Sequence, residues 1–420
     1  SGRAAEEGRA LAARADLEKD TFNWAEAARF YREAREAWAR APEPKTDLHV
    51  VFRMADAPLM LEGEAEARSV LAQAELIFET LDDPEGLGDV RALKGALQRN
   101  LGTLGAARGD FSDAQALFKR AGAQEKLGAS ALEGARIDIQ FADNRSAREA
   151  LDAAVVAFSS IGNEIGLALA KAVSGDLNRL LGRMEDASAE YRSAADALQA
   201  LAHPETASAL LKLGQVEGHL GNPGAARAPL EAAVRLFRES GSSVGEAWAV
   251  LALGVLEVEA GGGADAESLL TAAAARFREE ENPLGEGRAH LALASLAESR
   301  ELPDLARTSY AIAAARFVEA GGPFGHLLAE LGRGDIARGA GDSETAMSAY
   351  KEGAALFLAM DAPVGEANRY LGLPAVNHLK RLNEELPMGE GLARVEVEGV
   401  NAETLAAFPD HNIEARTLLA

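Results

Sequence analysis

The chain has 420 residues, no cysteine and a formal charge of −23, with hydrophobic residues at 48% and aromatics at only 5%. The missing cysteines exclude disulfides, thiolate metal sites, iron–sulfur clusters and cysteine nucleophiles. The acidic balance argues against a phosphate-binding surface, because nucleic-acid affinity rests on clustered Lys and Arg, and no window of about 18 apolar residues is present to span a membrane.

In chain order, a large apolar residue returns with a fixed spacing: Trp38, Phe78, Phe118, Phe158, Leu198, Phe237, Phe277, Phe317 and Phe357. A period in this range marks a stacked repeat, in which each unit is too small to bury its own apolar face and neighbours complete one elongated core. Eleven residues before most of these stands a small residue, Ala27, Ala67, Ala147, Ala187, Ala226, Ala266, Ala306 or Ala346. Twelve before that comes another: Ala15, Ala55, Ala135, Gly175, Gly214, Gly254, Ala294 or Gly334. Missing bulk on two successive helices implies close backbone approach. The following Tyr31, Leu71, Tyr191, Leu230, Leu270, Tyr310 and Tyr350, with an Ala or Gly three residues later, complete one helical face.

Turn residues such as Gly221-Asn222-Pro223-Gly224 and Gly341-Asp342-Ser343 separate a first from a second helix within each unit. Gly245-Glu246-Ala247, Gly285-Glu286-Gly287 and Gly365-Glu366-Ala367 open new first helices, with Glu near the positive end of the helix dipole. The third unit reads differently. Taking Gly102 and Ala114 as its small pair, with Phe118 and Ala121 following, predicts an irregular repeat near 86–128 with a lead-in seven residues longer.

Leu213-Gly214, Gly221, Ala226, Leu230 and Ala233, repeated as Leu253-Gly254, Gly261, Ala266, Leu270 and Ala273, resemble the tetratricopeptide repeat (TPR) in its longer variety. The resemblance implies an all-α fold, a right-handed α-solenoid superhelix of antiparallel helix pairs. It covers residues 1–386 as about nine helix pairs and a C-terminal capping helix, where Pro374 departs from the pattern. Residues 387–420 do not repeat and form a separate tail, expected either to be loosely docked or to fold back on the groove.

Nothing here carries a catalytic signature. The seven histidines show no His-Glu-x-x-His spacing, no Gly-x-Ser-x-Gly elbow is present, and Gly261-Gly262-Gly263 lacks the Lys-Ser/Thr of a phosphate loop. No enzyme activity, cofactor or metal is expected.

In tetratricopeptide superhelices the first helix of each pair lines the concave face. Carried onto this chain, its outward positions are Leu211, Leu251, Leu291 and Leu331, with Trp248, Arg288 and Leu328 one turn earlier and Val255, Asp335 and Arg338 later. Helical spacing puts them on one stripe. The expectation is an apolar groove with charged edges, suited to a helix or extended peptide with aliphatic anchors, with Trp248 as the favoured anchor. The alternative for the leucines is packing between adjacent first helices. The family's carboxylate clamp uses Lys and Asn at such positions, where this chain has Leu251, Val255, Leu291 and Ser295, so that clamp is not expected. Asp16, Asp56 and Asp176 share the outward position of Asp335 and make a basic segment the alternative ligand.

The resulting expectation is a non-enzymatic scaffold that binds another protein or peptide segment, with no nucleic acid and no transmembrane segment. A ligand-responsive regulator and a cell-envelope assembly lipoprotein processed before Ser1 are the other readings. Either a cytoplasmic or an exported, periplasmic location fits.

Overall fold

The computed structural model of the chain describes residues 64–358 apart from 262–263, and short helical pieces among residues 7–34. The first repeats, the cap around Pro374, Asp16, Asp56 and the segment 387–420 lie outside the described residues. All regular structure among the described residues is helical. In chain order the helices are α1 (Glu64–Leu81), α2 (Pro84–Asn100), α3 (Leu104–Ala121), α4 (Gln124–Gln140), α5 (Asn144–Ile161), α6 (Glu164–Leu180), α7 (Met184–Ala200) and α8 (Thr206–His219). They continue as α9 (Pro223–Glu239), α10 (Ser243–Glu259), α11 (Ala264–Glu279), α12 (Pro283–Ser299), α13 (Pro303–Ala320), α14 (Pro323–Gly339) and α15 (Ser343–Leu358). Two compact units divide the chain within α6, the first ending at Val173 and the second starting at Ser174.

Local chemistry sets the helix length. A left-handed residue follows each of α1 to α14, at positions 82, 102, 122, 142, 162, 182, 202, 221, 241, 261, 281, 301, 321 and 341. Glycine fills most of these slots because it alone carries no Cβ penalty there; Asp82, Ala142, Ala202, Glu281 and Glu301 occupy the rest. The residue after the left-handed one then donates its N–H five residues back, as Thr103 does to Gln98 O at 2.9 Å, which closes the helix end. Many starts are capped. Asp83 accepts from the Glu85 and Gly86 amides at 3.0 and 3.1 Å, and Asn282 accepts from Gly285 at 2.9 Å, each followed by a proline at the first helical position.

The third repeat is regular, which corrects the irregularity expected near 86–128. Gly102, with φ +75°, is the turn between α2 and α3, not a small helical residue. The helical pair is Gly95 and Ala107: a Cβ on Gly95 would stand 3.0 Å from the Phe111 ring, and Ala107 is fully buried. Phe111 therefore holds the place of Tyr191 or Leu230, and Phe118 keeps the place of Phe158 and Phe277. Two phenylalanines seven residues apart on one face make the sequence fit in either of two registers.

Packing follows two recurrent contacts. The closing aromatic of a second helix lies against a glycine eight residues later in the next first helix, as Phe158 does on Gly166, Phe237 on Gly245, Phe277 on Gly285 and Phe317 on Gly325. The residue sixteen after a first-helix glycine covers it in the same way, Tyr191 on Gly175, Leu230 on Gly214 and Tyr350 on Gly334. Removing the Phe118, Phe277 and Phe317 side chains from water contributes about 1.5–3 kcal/mol each. In the second unit successive first helices also touch, α8 with α10, α10 with α12 and α12 with α14. These helices thus have neighbours on several sides, and one first-helix face remains to meet solvent.

Candidate binding site on the first-helix face

On that face of the second unit, α8, α10 and α12 surround a pocket of about 40 Å³ whose walls include Gln215, Trp248, Leu251, Val255, Glu259 and Arg288. Residues 248, 251, 255 and 259 come to one side because they follow the three- and four-residue steps of an α-helix. The volume suits one small aliphatic side chain and is too small for a metabolite.

Trp248 is the centre of the site. It is half-buried, its ring meeting Phe277 of α11 edge-on at a centroid separation of 4.7 Å and an interplanar angle of 61°. The Arg288 guanidinium of α12 lies 5.2 Å from the Trp248 ring centroid. An aromatic pair of this kind adds about 0.5–1.5 kcal/mol and a cation–π contact about 0.5–2 kcal/mol. The indole is therefore held in place without a ligand. Glu259 closes one end of the pocket beside Gly218. Although the residue as a whole is exposed, its carboxyl lies against the pocket wall, and loss of water there raises its pKa to about 7.

The structure brings together Trp248, Leu251, Val255 and Arg288 from the stripe read in the sequence. It separates the others. Leu291, Leu328 and Leu331 are buried in the core shared by α10 to α14, so for them the packing alternative describes their place; Leu251 and Val255 are buried in the same core and differ in also lining the pocket. Leu211 packs with Leu230, Leu253 and Leu256 beside the pocket. Asp335 accepts a hydrogen bond from the Tyr350 hydroxyl and pairs with Arg338 at 3.2 Å, and neither Asp335 nor Arg338 lines the pocket. The same arrangement recurs at Asp176, which accepts from Tyr191 at 2.7 Å and from Lys212 at 2.8 Å. Burial opposes ionisation of Asp176, but Lys212 and Arg179 outweigh it and hold its pKa below the ordinary carboxylate value. Burial and Asp176 in turn push the Tyr191 hydroxyl well up, so it stays a donor. These aspartates thus join the two helices of a pair and have their charges engaged.

Glu259 and Gly218 were not among the residues singled out from the sequence, although Glu259 stands one turn beyond Val255. A second, wider cleft of about 320 Å³ lies in the first unit between α1, α2 and α3, with Arg68, Arg91, Lys94 and Asp110 on its walls. Its cations are already engaged: Arg91 and Lys94 meet Glu75 at 2.9 and 2.5 Å, and Arg91 lies 3.6 Å from Asp110.

Repeated helix pairs with buried Ala and Gly contacts define a tetratricopeptide-like α-solenoid repeat protein. A family model described as Tetratricopeptide repeat matches residues 167–239. Among solved structures, the chain is similar to a Rap protein complexed with competence and sporulation factor, at 13% identity and a TM-score of 0.58, over 84% of this chain and 98% of that one. It is similar to the apo form of the quorum sensor NprR from B. thuringiensis, at 11% identity and a TM-score of 0.57, over 84% and 99% of the two chains. The apo form of RapI aligns at 13% identity with a TM-score of 0.55, over 66% of this chain and 99% of that one. No curated protein sequence matches the chain. Identities this low establish the helical repeat fold. Among the described residues no helix is long and apolar enough to cross a membrane.

Proposed function

We propose that the chain is a non-enzymatic scaffold that binds a peptide or a helical segment of another protein on the first-helix face of its second unit. The observation that carries this reading is Trp248, a large aromatic held by Phe277 and Arg288 at the wall of a pocket sized for one aliphatic side chain. An aromatic fixed before binding loses little further freedom on contact, and residues of this kind dominate interface energies. The ligand expected is a segment with a Leu, Ile or Val anchor, its backbone or an acidic neighbour meeting Arg288 and Gln215.

A peptide-responsive regulator is the second reading. Its support is that one similar structure holds a competence and sporulation factor and another, a Rap conjugation gene regulator of the plasmid pLS20 with a TM-score of 0.50, holds the Phr* peptide. Selection from a random peptide library against the full chain tests both. Trp248→Ala and Gln215→Arg are each expected to weaken the selected peptides by at least about fivefold, the loss of roughly 1 kcal/mol set by a hot-spot residue. Undiminished binding to both variants, each with parental circular dichroism, would remove the site from this face.

A further inference from the structure

We propose that His326, Glu330 and Glu352 form a binding site for a divalent transition-metal ion, joining α14 to α15. His326 and Glu330 stand one turn apart on α14 and so share a face, and Glu352 reaches the same point from α15. His326 Nε2 lies 3.7 Å from Glu330 Oε1 and 3.5 Å from Glu352 Oε1, and the three potential ligand atoms fall within 4.8 Å of one another. Those separations are long for hydrogen bonds. The two distances from His326 are close to the edges of a tetrahedral sphere, about 3.4 Å for metal–ligand bonds of about 2.1 Å.

The preceding repeats show what this position does without a metal. At its first turn α10 has Glu246 and α12 has Glu286, each gripped by an arginine eight residues earlier: Arg238 Nη2 at 2.7 Å and Arg278 Nη2 at 2.6 Å. One repeat later both partners change together. The arginine position holds Val318, which is exposed, and the glutamate position holds His326. The pair Glu286 and His290 returns in reversed order as His326 and Glu330, and the position of Ile312 on α13 is taken on α15 by Glu352. An imidazole nitrogen and a third potential ligand thus stand where the preceding repeats have a closed ion pair.

The surroundings suit an ion. Glu330 is almost fully buried and accepts from Arg333 at 2.6 Å, an outer partner that orients a ligating carboxylate and offsets part of its charge. Glu352 is half exposed and leaves a path for the ion and for the water that would complete its shell. Imidazole with two carboxylates favours zinc and its first-row neighbours over calcium or magnesium, which select all-oxygen sites.

The test is titration of the full chain, stripped with a chelator, with zinc chloride by calorimetry and with cobalt(II) by visible absorption. One ion per chain is expected, with tetrahedral cobalt bands and a rise in melting temperature. His326→Gln and Glu352→Gln should each weaken binding by at least about tenfold, while His290→Gln leaves it unchanged. Glu352→Gln is the decisive variant, because its exposed side chain contributes little to the fold. Failure to bind zinc below millimolar concentrations, or binding indifferent to both α14–α15 variants, would overturn the proposal.

Discussion

Gly285→Ala is a substitution whose usual effect the structure reverses. In an ordinary exposed helix the change stabilises by up to about 1 kcal/mol. Here a Cβ at position 285 would stand 2.3, 2.5 and 2.5 Å from three ring carbons of Phe277. Carbon atoms settle at about 3.5–4.0 Å, so the ring or the helix must move by more than an ångström. The ring has little room to move, being fully buried and in edge contact with Trp248. Overpacking of this kind costs about 1–3 kcal/mol, which exceeds the gain in helix propensity. Gly109→Ala is the control, since its added methyl meets nothing within 4 Å inside α3 and should stabilise by about 0.5–1 kcal/mol.

Repeat arrays open unit by unit, so one global melting curve averages over the effect. Hydrogen exchange read by mass spectrometry on fragments from α10 to α12 isolates it. A local loss of about 1–3 kcal/mol accelerates exchange there roughly 5- to 150-fold and leaves α3 to α5 at the parental rate. Combining Gly285→Ala with Phe277→Leu should recover part of the loss, because the smaller side chain relieves the contact. Parental or slower exchange in α10 to α12 for Gly285→Ala alone would refute the reasoning, showing that the glycine is not required for the close approach.

Two further substitutions probe the fold. Ala142 holds a left-handed turn at φ +55° where most other repeats use glycine, so Ala142→Gly should stabilise the α4–α5 pair by up to about 1 kcal/mol, read by exchange in those helices. His290 is buried with both ring nitrogens lacking hydrogen-bond partners; burial lowers its pKa below 6.5, while Glu286 opposes the shift and Arg278 and Arg316 add to it. On acidification the unfolded imidazole takes its proton first, so this contribution is fully present above about pH 6.5 and is lost as pH falls toward the lower folded value. His290→Leu should flatten that acid-side loss in urea titrations between pH 7.5 and 5.5 and stabilise by about 1 kcal/mol at the upper end; an unchanged slope would contradict it.

The fold was legible because its determinants are local and recur. Ala226, Ala266 and Ala306 are fully buried where the period places them, and the turn glycines stand at their left-handed positions. The register of the third repeat was not, because Phe111 and Phe118 satisfy the same helical face seven residues apart and only the sign of φ at Gly102 distinguishes a turn from a helical glycine. The candidate site, which remains a proposal, was legible only as a stripe. Trp248, Leu251, Val255 and Arg288 meet at one pocket, whereas Leu291, Leu328 and Leu331 do not reach it. The reason lies in helices such as α12, where Gly285, Ala289, Leu291, Ala292, Ala294 and Leu296 are buried around most of the circumference. A first helix touches its own partner, the preceding second helix and the first helices on either side, so apolar spacing alone does not say which face is left for a ligand.

Function in such a chain is written where the period fails. The positions that build the stack admit few changes, since Gly245, Gly285 and Gly325 each sit under a phenylalanine that leaves no room for a methyl group. Neighbouring positions on the same helices carry no such restriction. The position of Trp248 is filled by Arg288 and then by Leu328 in the next two repeats, and the first-turn position passes from Glu246 to Glu286 to His326. The first series places a cation over an indole beside a pocket; the second replaces an arginine-bound glutamate with a histidine between two carboxylates. Both changes leave the glycine–aromatic contacts themselves in place: Phe277 still covers Gly285 with Trp248 against its ring, and Phe317 still covers Gly325 beside His326. A repeat of this kind therefore separates the residues that specify the fold from those free to specify a ligand, and its departures from periodicity are where binding chemistry should be sought.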